Sequence, residues 1–230
     1  MKTMIEDVDV KDKENILEIK SAAAAERGHE LSAFIDYWQN MRRGQDVPLR
    51  TEIDPRGFES LLSNSFIAEK VTPGLARMRV AGAELSKLLG MEIRGMPISS
   101  LIDADDQTRL SDAIVELFER PAIVQIELIS RDRFDTQPLQ GTMVILPLRS
   151  DLGDISRALG CLVTSGEIGD GPRRFKIRDI QLRKIDIPQN SKPLQFSEAQ
   201  TLLTGPGKSN DGDRRLYRSE RPYLKLVHSS

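Results

Sequence analysis

Cysteine is almost missing from this chain: Cys161 stands alone, which excludes an internal disulfide and any multi-cysteine metal site. Set inside an apolar run, it reads as a small buried hydrophobe. Histidine is nearly as scarce. His29 and His228 are the whole supply, so a Ser-His-Asp or Cys-His pairing would have to recruit a side chain from near one end of the sequence. No apolar run is long enough to span a bilayer, and the opening MKTMIEDVDVKDKEN is acidic where a secretion signal needs a basic start and an apolar stretch. A cytoplasmic, soluble protein with no membrane partner is the expectation. An excess of either charge is missing too. The formal net charge is -2 with 30% charged residues, a balance that demands neither nucleic acid nor an anionic membrane.

What is present is a chain of 230 residues with 39% hydrophobic content, enough for a real core in one compact domain with tails. Composition divides it into three. Residues 1–28 form a polar, alanine-rich arm in which 13–27 can be helical. Residues 29–168 carry the periodic apolar pattern of a domain. Residues 169–230 begin basic and become rich in Ser, Gly, Asp and Arg, a composition expected to be largely disordered.

Within the domain, Leu31, Phe34, Ile35, Trp38 and Met41 fall at spacings of three and four, one face of a helix that stops near Gly44. This helix must dock on something, and Phe34, Ile35, Trp38 and Met41 are the interface candidates. The Asp54-Pro55 pair starts a turn, after which Phe58, Leu61 and Leu62 resume a helical spacing. Strands are expected over 65–71 and 76–80, joined by Thr72-Pro73-Gly74 into a hairpin. A short helix over 83–89 ends at Gly90, and a longer one over 105–119 puts Leu110, Ile114, Leu117 and Phe118 on a shared face. Three β-branched apolar runs, 123–130, 142–149 and 158–165, read as strands of one antiparallel sheet.

The segments DYWQNMRRGQDVPLRTEIDP, LARMRVAGAELSKLLGMEIRGMPISSLI, GTMVILPLRS and ALGCLVTSG resemble the bacterial PAS subfamily that often occurs as a nearly free-standing domain of uncharacterised function. The match runs over roughly 31–166 and is distributed along the chain. The resemblance implies an α+β fold: a PAS-like five-stranded antiparallel sheet, short helices on one face and an N-terminal cap helix. It implies no particular ligand, because a fold does not fix a function.

No cofactor is expected. Haem-binding PAS domains usually supply an axial histidine from the helix before the third strand, whereas His29 and His228 lie outside the matched stretch. Photoactive flavin domains of this fold use a cysteine within an asparagine-cysteine-arginine helix motif, and Cys161 sits in the last of the three strand runs. Asp103, Asp105 and Asp106 have the spacing of a helix start, where acids favour the positive end of the dipole, rather than of a metal site. The glycines of GLARMRVAG lack the ending of a phosphate loop. A small apolar pocket between sheet and helices would be lined by Leu85, Leu88, Leu89, Ile114, Phe118, Val124, Ile126, Met143, Ile145 and Leu162; the plainer alternative is that these residues fill the core. After Gly166, Phe175 and Ile177 alternate with Arg173, Arg174, Lys176 and Arg178, an extra strand or an extended arm. Asp179 and Asp186 offset the basic cluster, which reads as a solvated face rather than a nucleic-acid site.

Two functions follow. One is a non-enzymatic signalling protein acting by protein–protein interaction, an adaptor or regulator of sensor kinases whose partners are a second copy or a PAS-containing histidine kinase. The other is a small-molecule sensor built on the apolar pocket.

Overall fold

The computed structural model describes residues 28–42, 46–130, 138–169 and 171–185. Helix α1, residues 28–41, buries Leu31, Phe34 and Trp38 along one side and leaves Ser32, Asp36 and Asn40 exposed on the other. The chain then enters a 3-10 segment, Pro55–Asn64, with Pro55 at its first position and the Asp54 carboxylate accepting from the Arg56 backbone N–H at its cap. Phe58 breaks the helical dihedrals there, and its ring turns back to meet Phe34 edge-on at 5.3 Å. Tyr37 locks the same corner, donating its hydroxyl proton to the Asp54 carbonyl at 2.9 Å and accepting from the Asp54 N–H at 2.8 Å.

Strands β1 (Ser65–Thr72) and β2 (Leu75–Ala81) form the expected hairpin, turned by Gly74 at φ 76°. Helix α2 (Ala83–Leu89) ends on Gly90 in the left-handed region, and α3 (Gln107–Glu119) follows a 3-10 turn at Ala104–Asp106. Strands β3 (Ala122–Ser130), β4 (Leu139–Arg149), β5 (Ile155–Ser165) and β6 (Lys176–Lys184) complete a six-stranded sheet of order β2-β1-β5-β4-β3-β6, every pairing antiparallel. The sixth strand is an addition to the five expected. The alternation through Phe175 and Ile177 is therefore a strand that pairs with the edge of β3, and the sheet runs past residue 168 into what composition assigned to a tail.

Apolar side chains collect in two clusters, one on each face of the sheet. The inner cluster lies under α2 and α3; the outer one lies under α1 and Pro55–Asn64. Helical elements thus cover both faces, the short helices on one and the N-terminal cap helix on the other. Strand β4 explains why: Met143 and Ile145 point into the inner cluster while Val144, Leu146 and Leu148 point into the outer, so a strand apolar without a break from Met143 to Leu148 needs cover on both sides. Pro147 is tolerated in this strand because β3 pairs with β4 only as far as Val124 opposite Ile145. Its carbonyl is satisfied by the Trp38 indole N–H at 3.0 Å.

The helix expected within 13–27 and the tail beyond residue 193 lie outside the described residues.

Candidate functional site

Every pocket candidate joins the inner cluster: Leu85, Leu88 and Leu89 from α2, Ile114 and Phe118 from α3, Val124 and Ile126 from β3, Met143 and Ile145 from β4, and Leu162 from β5. Phe175, Ile98, Leu101 and Ile102 share it and are not among the pocket candidates read from the sequence. Phe175 arrives there because the segment leading into β6 is strapped across the helices. Its N–H donates to the Leu101 carbonyl at 2.9 Å, its carbonyl accepts from Asp103 N–H at 2.8 Å, and the Arg173 N–H donates to the Leu88 carbonyl at 2.6 Å. Arg173, read as part of a solvated basic face, is in fact buried, with Nε donating to the Ile168 carbonyl at 2.5 Å. That carbonyl gives the buried guanidinium one acceptor.

The acidic trio behaves as a helix start and as an anchor. Asp103 caps the 3-10 turn by accepting from Asp105 N–H at 3.3 Å. Asp106 accepts from the Ile177 N–H at 2.9 Å and from Arg109 at 2.9 Å, while Arg109 also donates to the Ile177 carbonyl at 2.7 Å. The Ile177 amide, with Arg109 beside it, holds the Asp106 carboxyl below its ordinary range against the opposing effect of burial. Among the described residues no group of His, Cys, Asp and Glu is arranged to hold a metal ion.

The interface candidates fare differently. Phe34 and Trp38 do not present an apolar face to solvent: both are buried in the outer cluster, and Ile35 and Met41 pack partly buried against it. The stripe on α1 is occupied by the chain's own sheet. Cys161 belongs to the same outer cluster, on the opposite side of the sheet from the pocket candidates. Burial pushes its thiol up to about 12. His29, in the first turn of α1, is exposed.

Among the described residues, cover of the outer face is incomplete in two places. On the β3–β6 side, Gln125 lies opposite Val144 on one strand and Gln181 on the other, and Glu127 lies opposite Thr142 and Asp179. These side chains make a polar strip with local hydrogen bonds, Thr142 to Glu127 at 3.0 Å and Gln181 to Asp179 at 3.1 Å. A cavity of about 340 Å³ is lined by Glu127, Leu128, Gln140, Gly141, Arg178 and Asp179. On the β2 side, a second cleft of about 300 Å³ lies between Pro55–Asn64 and the hairpin, with Phe58, Leu62, Ile67, Val80 and Leu159 among its walls and Arg50 on its lining. Leu62 and Val80 are 46% and 51% exposed. The helical spacing of Phe58, Leu61 and Leu62 hid this cleft: in a 3-10 segment the repeat of three aligns Phe58 with Leu61, both buried, and leaves Leu62 half-exposed.

A family model described as PAS domain matches residues 27–163. No curated protein matches the chain. Among solved structures, a light-oxygen-voltage domain studied with a flavin analogue is 16% identical, covering 49% of this chain and 84% of that one at a TM-score of 0.37. The light-state LOV domain of the blue-light photoreceptor Aureochrome1 is 17% identical, with 49% and 88% covered at a TM-score of 0.33. The LOV protein of Rhodobacter sphaeroides is 15% identical, with 51% and 71% covered at a TM-score of 0.35. The family match spans more than half of the 230 residues and coincides with the hairpin, the two helices and the three central strands, so the chain belongs to the PAS domain family.

Proposed function

We propose that this PAS domain protein is a non-enzymatic signalling module that acts by binding other proteins, a second copy of itself first and a PAS-containing histidine kinase as the downstream partner. The observation that carries the reading is the division of the outer sheet face. Its apolar half is taken by α1 within the chain, and the polar half around Gln125, Gln140 and Gln181 is left for a partner. A surface of that polarity suits a reversible contact, since interfaces that form and dissociate are about as polar as the rest of a protein surface. The cap helix is no longer the proposed contact, because its apolar stripe is consumed. Light scattering across a concentration series tests this. A dimer that Gln181→Arg converts to monomer without moving the unfolding midpoint supports it; a chain monomeric at every concentration removes the self-association half of the reading.

A second reading, a small-molecule sensor, is favoured by the convergence of the pocket candidates into one apolar cluster between sheet and helices. Native mass spectrometry of freshly purified protein separates the two. Extra mass that disappears on denaturation supports the sensor, and a clean apo species supports the protein-contact reading.

A further inference from the structure

We infer that the cleft between Pro55–Asn64 and the β1–β2 hairpin binds a small amphiphilic carboxylate, its chain against the apolar walls and its head group on Arg50. At about 300 Å³ the cleft stands at the lower end of ligand pockets, which run to roughly 300–1,000 Å³. That size suits a medium-length alkyl or aryl chain. Its walls are aliphatic and aromatic carbon, and the half-exposed Leu62 and Val80 leave apolar surface in water that an alkyl chain would cover.

Charge then selects the head group. Arg50 is the one charged residue on the lining, and among the described residues its guanidinium has no ion-pair partner. Other arginines among the described residues are engaged by carboxylates: Arg56 with Asp54, Arg79 and Arg157 with Glu69, and Arg149 with Asp46. A guanidinium left without a carboxylate beside an apolar cleft recognises an anion on an apolar chain, and planar, bidentate carboxylate is the form it binds best. Backbone contact keeps the walls in place. Gly82 N–H donates to the Ser65 carbonyl at 2.8 Å, and a Cβ at Gly82 would fall 2.2 Å from the Ser63 carbonyl oxygen. The hairpin and the 3-10 segment therefore meet main chain to main chain, and the cleft exists before any ligand arrives. Phe66 of the inner cluster reaches its lining, but none of the ten pocket candidates does, so it is a site separate from the core pocket.

The experiment is a titration of the full chain with decanoate below its micelle concentration, followed by NMR and calorimetry, beside decanol and decyltrimethylammonium. Saturable decanoate binding is expected, with shifts at Ile67 and Val80 and an affinity about tenfold above that of decanol. Arg50→Gln should weaken decanoate by about the same factor and leave decanol unchanged. Because added salt screens the head group alone, it should weaken decanoate binding to the native chain and spare decanol, a readout that needs no variant. Equal affinity for decanoate and decanol, absence of saturable binding, or shifts confined to inner residues such as Ile114 and Ile126 would overturn the assignment.

Discussion

Trp38 has no exposed surface, and its indole N–H is committed to the Pro147 carbonyl. Trp38→Phe leaves that buried carbonyl without its donor, at a cost of about 1–3 kcal/mol measurable by urea unfolding, while the oligomeric state by light scattering stays that of the native chain. Trp38→Asp places an unpaired carboxylate in the outer cluster, so the expected outcome is loss of the fold rather than a well-folded monomer. Cys161 gives a second test at this scale. With its thiol raised to about 12 and no exposed surface, it should resist iodoacetamide at pH 8 in the native state and react at once in denaturant. Fast native labelling would mean that the contact between α1 and the sheet opens readily.

Individual elements were legible in the sequence wherever a period decided them. Helix α2 and its glycine stop, α3 and the hairpin match their expected places to within a few residues, because alternation, helical spacing and turn chemistry are local signals. What the stripe on α1 could not reveal is whose surface it meets. An amphipathic helix announces that it docks, and the same Phe34 and Trp38 would serve a partner or the chain's own sheet; only β4, apolar on both sides, held the answer, and that side is read after the strands are paired. The strand β6 was likewise half visible, since alternation does not say which edge it joins, and the cleft depends on exposures that no local pattern carries. Asp106 is the element-scale handle on β6. Its folded carboxyl titrates below the ordinary aspartate value of about 3.9, so its contribution is complete above that value and is lost as pH falls through the lower folded one. Asp106→Asn should therefore cost about 1–3 kcal/mol at pH 7. The difference between variant and native chain should shrink as the pH is lowered through the range in which the folded carboxyl takes up its proton; a difference independent of pH would refute this role.

For the molecule as a whole, one sheet carries two cores, and each needs a segment far away in sequence: α1 for the outer one, Phe175 and β6 for the inner. A chain ending at residue 169 keeps the whole matched family span yet loses Phe175 from the core and uncovers the edge of β3. It should unfold at lower urea and aggregate through that edge, whereas a chain ending after Ile185, whose side chain completes the outer cluster, should keep the native midpoint. Turbidity and urea titration of the two truncations decide it. The indole bond to Pro147 also has a consequence in time. It joins residues 109 positions apart, and a contact of that separation carries a closure entropy that the chain meets only when most of the sheet has assembled. Stopped-flow kinetics of Trp38→Phe should accordingly show faster unfolding with refolding almost untouched, so that this single donor acts as a clasp governing how long the domain stays closed rather than how soon it forms.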